Sequence, residues 1–382
     1  MKQIFFIAWL CLVTACGQLS KPAFQSEVLA ADSIHYAKGF TIRYYDGYIQ
    51  AEIIDPWDTT NLLQRYLLIG RDLPLPKGLP KGTIVRTPVQ NLAVYACVHV
   101  SILEQLGELN RIIGVCEPQY MSSKVMKEQL QTGRVADLGM ATSPNVEKMI
   151  DIGVECIIAS PFQNSNFGAA EKLGIPIIEG ADYMESSPLG RAEWGRFYGL
   201  LFNKQVKADS IFRGTEDRYL SLKELAATAS VRPTVLTERR YGSFWYVPGN
   251  ESYIAHFLHD AGAANIFDDE KGVSSIPLAF ETVLDKAIHA DFWLLKYNQT
   301  EEMTYRDLRT EYTPYELFDA FKNRNIYTCN TGSVPYYEES PMHPDYLLKD
   351  LIAIFHPELL PDYKLRYYKK MVRGIIPNVR RR

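Results

Sequence analysis

The sequence predicts an α/β protein: two Rossmann-like lobes connected by a single long α-helix, with an N-terminal β-hairpin extension. Three observations carry that prediction. Short apolar runs alternate with amphipathic stretches in both halves of the chain, as strands and helices do in a mostly parallel sheet covered on both faces. A long helical segment separates the two halves. Ahead of the first half, residues 38–70 alternate apolar and polar side chains around Gly39, Asp46-Gly47 and Pro56, which is hairpin patterning.

Composition agrees with a folded chain of this kind. Its 382 residues are 47% hydrophobic and 23% charged, which is globular usage and excludes wholesale disorder or collagen-like repetition. That length allows two or three units. Lys plus Arg number 41 against 45 Asp plus Glu, a net charge of −4, so no global basic field attracts nucleic acid.

The first residues read as an address. Met1-Lys2-Gln3 is a short basic start, residues 4–13 are apolar, and Thr14 and Ala15 are small. This is the layout of a secretory signal, too short to span a bilayer. Val13-Thr14-Ala15-Cys16 resembles the bacterial lipobox, which would make residues 1–15 the signal peptide and Cys16 the lipidated first residue of the mature protein. Acyl chains there would hold the chain on a membrane surface, facing the periplasm. The alternative is an ordinary cleaved signal with an incidental cysteine. Beyond Cys16 no apolar stretch approaches the ~20 residues of a membrane helix.

Residues 16–83 form the extension, closed by the breaker-rich run at 74–82. The first lobe takes residues 84–186, with Leu92-Ala93-Val94-Tyr95, Ile112-Ile113-Gly114-Val115, Cys156-Ile157-Ile158-Ala159 and Ile175-Pro176-Ile177-Ile178 as its buried strands. Connecting helices occupy 187–229. Ser187-Pro188 opens them, and Trp194, Phe197, Tyr198 and Leu201 make one apolar stripe. Residues 230–382 are the second lobe and tail, with strands at Thr234-Val235-Leu236-Thr237, Phe292-Trp293-Leu294-Leu295 and Ile326-Tyr327-Thr328. One echo links the lobes. Glu147 to Asp151 and Glu281 to Asp285 both read Glu-x-x-aliphatic-Asp near a helix start, and each is followed by a buried strand.

Cysteine and histidine supply little chemistry. Cys97, Cys116, Cys156 and Cys329 show no CxxC spacing and read as buried thiols, with a Cys97–Cys116 bridge left open. His256 and His259 lack a third ligand nearby, so no metal site is expected. GxSxG, P-loop, GxGxxG and HExxH patterns are all missing, which speaks against the competing class, an enzyme of related fold.

Taken in order, several segments resemble the substrate-binding proteins of ABC importers for ferric siderophores, haem and cobalamin. They are Ile112-Ile113-Gly114-Val115, Ser143-Pro144-Asn145-Val146-Glu147 and Gly174-Ile175-Pro176-Ile177-Ile178. To these are added Ser187-Pro188-Leu189-Gly190-Arg191-Ala192-Glu193-Trp194, and Val247-Pro248-Gly249-Asn250-Glu251-Ser252-Tyr253 running on to Asp260-Ala261-Gly262-Ala263. The resemblance covers roughly residues 84–360. It implies a non-catalytic receptor with no cofactor of its own, whose cargo is an iron chelate, haem or corrinoid. Its implied partner is a permease dimer with an ATPase. By position, Glu147 and Glu281 match the acidic residue that each lobe offers to the permease, although early helix acids also arise simply because the dipole favours them.

Ligands of open α/β sheets bind beyond the carboxyl ends of the strands. That rule selects Tyr95 and Tyr120, then Gln163 and Asn164, then Arg239, Arg240 and Trp245, and finally Tyr297. Aromatic faces suit a large flat chelate, and the paired arginines suit an anionic one. The other reading of Arg239-Arg240 with Phe244-Trp245-Tyr246 is a surface hairpin with solvated arginines. His99 offers either an axial ligand or a hydrogen-bonded helix-start histidine.

Overall fold

The computed structural model describes residues 27–164 and 166–373. Cys16 and the Arg380-Arg381-Arg382 end therefore lie outside the described residues.

Alternation in the extension builds more than a hairpin. Strands β1 (Ala30–Ala31), β2 (Phe40–Tyr45), β3 (Tyr48–Ile54), β4 (Leu62–Gly70) and β5 (Thr83–Thr87) form one five-stranded sheet in that order. The expected hairpin is β2–β3, which turns at Asp46-Gly47 with Gly47 at a φ of 79°. β5 then returns parallel to β4, a non-local pairing that alternation alone does not announce. Phe40, Ile42, Tyr66 and Leu68 of this sheet share one apolar core with the first lobe. Tyr66 also pins the sheet to that lobe. Its hydroxyl donates to the Ile177 carbonyl (2.9 Å) and accepts the Glu179 N–H (2.8 Å).

The first lobe runs β6 (Leu92–Val94), α1 (Cys97–Leu106), β7 (Ile112–Val115), α2 (Lys124–Gln131), β8 (Ala136–Asp137), β9 (Gly139–Met140), β10 (Ser143–Pro144), α3 (Val146–Asp151), β11 (Cys156–Ala159) and β12 (Ile177–Glu179). Its main sheet has the order β12-β11-β6-β7-β8 and is parallel throughout. Apart from the edge strand β8, these strands are largely buried on both faces and are the continuous apolar runs seen in the sequence.

Two helices, rather than one, cross to the second lobe. Helix α4 (Pro188–Leu201) starts on the Ser187 hydroxyl, which accepts the Gly190 N–H, and it buries Trp194, Phe197, Tyr198 and Leu201. Asn203 then takes a φ of 56° and breaks the helix. The 23-residue α5 (Gln205–Ala227) folds back against α4 instead of prolonging it. Gly199 permits that approach, since a Cβ there would lie 2.6 Å from the Ala208 methyl.

The second lobe contains β13 (Thr234–Thr237), β14 (Arg240–Tyr241), β15 (Phe244–Pro248), α6 (Tyr253–Asp260), β16 (Ala264–Asn265), β17 (Ser275–Leu278), α7 (Phe280–Ala287) and β18 (Phe292–Tyr297). After these come α8 (Tyr305–Glu311), α9 (Asp319–Lys322), β19 (Ile326–Asn330), α10 (Tyr336–Glu339), α11 (Pro344–Phe355) and β20 (Lys369–Lys370). Its main sheet is β16-β13-β18-β19-β20, parallel except for β20, and β14-β15-β17 form a small antiparallel sheet beside it. The four cysteines of the described residues are free thiols, so Cys97 and Cys116 are not bridged.

Two buried carboxylates hold the segments that flank the lobes. Glu193 of α4, fully buried, accepts the backbone N–H groups of His35, Tyr36 and Ala37 at 2.8–3.1 Å. Asp350 of α11, also fully buried, accepts those of Arg366, Tyr367 and Tyr368 and the Tyr363 hydroxyl. Removing such an acceptor leaves several donors without partners, each costing about 1–3 kcal/mol when buried. Glu193→Ala should therefore destabilise the protein by about 3–5 kcal/mol, lowering the urea midpoint and exposing residues 33–39 to limited proteolysis. An unchanged midpoint would show that water replaces the carboxylate at little cost.

Candidate functional site

Parallel strands deliver their loops to one side, and here the two lobes deliver them to a shared hollow of about 770 Å³. From the first lobe come Tyr95 and Cys97 after β6, Glu117, Gln119 and Tyr120 after β7, and Ser122 and Lys127 at α2. From the second come Asn298 after β18 and the turn Thr331-Gly332-Ser333-Val334-Pro335 after β19, with Tyr337 and Glu338 of α10. This volume lies in the range of sites for small ligands. Tyr120 and Tyr337 are 58% and 54% exposed, so both rings are open to a ligand, whereas Tyr95 is buried and its hydroxyl reaches the Met149 sulfur.

A hydrogen-bonded contact joins the two sides of the hollow. The Ser122 N–H donates to Glu338 Oε1 at 2.6 Å and the Ser122 hydroxyl donates to Oε2. Burial raises the Glu338 pKa, against the Ser122 hydrogen bond and the Lys127 charge that act to lower it. Burial also pushes the Cys97 thiol up to about 11 and the Cys116 thiol to about 12, so neither is poised as a nucleophile.

Further buried charges each have a partner. Lys296 pairs with Glu238; burial alone would lower the ammonium pKa, but that carboxylate more than offsets it. Arg191 lies 3.5 Å from buried Asp182. Burial acts to raise the Asp182 pKa, yet His99, Arg191 and Tyr198 hold it below the usual carboxylate range. His99 is itself buried, 3.7 Å from Asp182, and does not line the hollow.

Several residues anticipated as ligand contacts are engaged elsewhere. Trp245 is fully buried, donating Nε1–H to the Thr237 carbonyl among Trp293, Tyr315 and Phe318. Strand β15 alternates, so Trp245 faces the core while Phe244 and Tyr246 face outward. Tyr297 is buried as well, its hydroxyl donating to Glu302 and accepting the Met303 N–H. Arg239 pairs with Glu311, and the Arg240 guanidinium lies 4.0 Å over the Tyr312 ring. Gln163 and Asn164 are exposed on the loop after β11, outside the lining of the hollow. Tyr95 and Tyr120 do line it. What the sequence reading missed is the loop after β19. The signal was there, since Thr331-Gly332-Ser333-Val334-Pro335 is a breaker run directly after a buried strand.

Glu147 and Glu281 occupy matching places. Each is exposed and is the second residue of its helix, α3 or α7. Each helix leads into the strand, β11 or β18, that pairs with its lobe's first strand.

Two lobes with facing strand ends, crossed by paired helices, define a bilobal binding protein. The chain belongs to the periplasmic binding protein family, whose model matches residues 92–331. It is 26% identical to an uncharacterized lipoprotein of Methanocaldococcus jannaschii, over 88% of this chain and 85% of that protein. Among solved structures it is similar to an ABC-type Fe3+-hydroxamate transport protein of Saccharomonospora viridis, at a TM-score of 0.55 and 16% identity, covering 70% of this chain and 93% of that one. It is likewise similar to a periplasmic heme binding protein of Pseudomonas aeruginosa, at 0.55 and 15%, covering 75% and 99%. The shared property at these identities is the fold.

The Glu338 pKa has a consequence for stability. A carboxyl raised in the folded state stabilises most below its usual value of 4.5, and that contribution is lost as pH rises through the folded pKa. Glutamine mimics the protonated acid. Measured by thermal melts across this range, the Tm of Glu338→Gln relative to the natural protein should rise as pH increases. A difference that stays flat with pH would mean that Glu338 titrates like an exposed carboxyl.

Proposed function

We propose that this protein is a non-catalytic receptor that binds an iron complex, a siderophore or haem, in the interlobe hollow. It hands that cargo to an ABC transporter permease dimer driven by its ATPase. The observation that carries the reading is the hollow itself, formed where strand ends of both lobes meet and lined by the rings of Tyr95, Tyr120 and Tyr337. Exposed rings can cover a bulky chelate, and neutral polar groups from Gln119, Asn298 and Thr331 can fix its orientation. Family membership and the names of similar proteins, one for Fe3+-hydroxamate transport and one for heme binding, support that cargo class.

Anchoring at Cys16 would hold the receptor on a membrane, facing the periplasm, and the lipoprotein name of the relative supports it. In this reading Glu147 and Glu281, one on each lobe, engage the permease. Surface carboxylates of that kind contribute more to register and encounter than to affinity.

Protein purified from its host tests the cargo through its visible spectrum, since ferric chelates, haem and corrinoids absorb differently. A titration of ferric chelates and haemin by intrinsic fluorescence should show binding that weakens at least tenfold in Tyr120→Ala or Tyr337→Ala, about 1.4 kcal/mol or more. Natural affinity in both variants would remove the hollow as the site. For docking, Glu147→Ala with Glu281→Ala should abolish most uptake while changing ligand affinity less than about twofold, as expected for rim charges. A large loss of ligand affinity in that folded double variant would assign the pair to the pocket instead.

A further inference from the structure

Helix α10 is four residues long, and each residue engages a different part of the molecule. Tyr336 is buried in an apolar core of the second lobe. Tyr337 turns its half-exposed ring to the hollow. Glu338, 5% exposed, reaches the first lobe, where Oε1 accepts the Ser122 N–H at 2.6 Å and Oε2 accepts the Ser122 hydroxyl. Glu339 holds the tail, taking the Arg366 fork at 2.7 and 2.8 Å and the Tyr367 hydroxyl at 3.1 Å.

Tyr337 is thus fixed by both of its chain neighbours. Tyr336 is set by packing, and Glu338 by two hydrogen bonds to one residue of the other lobe. Bonds to a carboxylate are stronger than those between neutral groups, and two of them fix direction as well as distance. The first-lobe end is equally defined. Ser122 follows the buried Met121 and precedes Ser123, whose hydroxyl caps α2 by accepting the Met126 N–H. Ser122 and Glu338 both line the hollow, so their bonds lie in its wall.

We propose that Glu338 is a positioning residue for this site. Its clasp on Ser122 sets the lobe separation at the hollow and holds Tyr337 against a bound solute, so it governs how slowly the solute leaves. The proposal rests on the reading of the hollow as a chelate site. Release requires the lobes or α10 to give way, and the clasp adds the breaking of two charge-assisted hydrogen bonds to that step. Encounter needs no such step, so the effect falls on dissociation. Helix α10 also packs against α1 of the first lobe, which keeps the lobes joined when the clasp is removed.

Two measurements on the full chain separate the clasp from the cargo. Hydrogen exchange on the ligand-free protein reads the clasp itself. The Ser122 amide should be protected, and Glu338→Ala should speed its exchange about tenfold, the loss expected for a bond to a charged acceptor. Stopped-flow intrinsic fluorescence then reads the release of haemin and of ferrioxamine B. Dissociation should be about tenfold faster in Glu338→Ala, with association changed less than about twofold. Glu338→Gln, which keeps an acceptor for the Ser122 N–H, should restore most of the difference. Ser122→Ala removes the hydroxyl arm alone and should give a smaller acceleration that vanishes in the Glu338→Ala background. Fully additive effects would mean that each side chain touches the solute by itself, and would overturn the proposal. So would an unprotected Ser122 amide in the natural protein, or natural release from Glu338→Ala; both leave the chelate reading standing. If neither probe binds the folded protein, the chelate reading fails, and the retention role falls with it.

Discussion

The architecture depends on a repeated device: a buried helix carboxylate that collects three consecutive backbone N–H groups from a segment outside the lobes. Glu193 does this for residues 35–37 and Asp350 for residues 366–368. Glu185 adds Lys38, Gly39 and the Trp194 indole to the first of these sites. A buried charge is tolerable only where its oxygens are saturated, and irregular backbone is tolerable only where its donors are satisfied. Each problem solves the other. The outcome is that the five-stranded extension and the tail are joined to the helices at the lobe junction rather than hanging from it.

That junction frames the cleft. Helix α4 carries Glu193 on one side and Tyr198, bonded to buried Asp182, on another, while Arg191 reaches the same carboxylate and lies 5.4 Å over Tyr253 of the second lobe. Polar groups of the first lobe, the crossing helix and the second lobe thus meet in one buried cluster. Around it the two parallel sheets aim their carboxyl ends at each other. The hollow is a consequence of strand polarity. Any fold that repeats strand–helix units in two lobes gathers its loops on the facing edges, and chemistry is then set by the few side chains in those loops.

Those side chains are mostly neutral, with three tyrosines among them. Thiols at the cleft are raised by burial, and Ser122 and Glu338 make a hydrogen bond between lobes. Exposed rings of Tyr120 and Tyr337 face the opening from opposite lobes. Glu147 and Glu281 stand exposed at matching helix starts on the two lobes.

Elements whose signals are local are legible in the amino-acid order alone. Alternation marked β2–β3, continuous apolar runs marked the buried parallel strands, and the Trp194, Phe197, Tyr198, Leu201 stripe marked α4. Twin Glu-x-x-aliphatic-Asp segments located α3 and α7 at equivalent points of the two lobes. Tyr95 follows directly on β6 and Tyr120 lies in the loop after β7, which places both in the lining of the hollow. The rest follows from packing between distant segments. Trp245 and Tyr297 lie near strand ends too, but pleat and packing turn both rings into the core of the second lobe. Arg239 and Arg240 looked available until Glu311 and Tyr312, over 70 residues away, engaged them. The Asn203 break, the return of β5 beside β4 and the meeting of Ser122 with Glu338 likewise depend on partners distant in the chain. Periodicity reports which face of an element is apolar. It does not report which distant partner will satisfy a charge or a hydrogen bond, because that is fixed only when the whole chain packs.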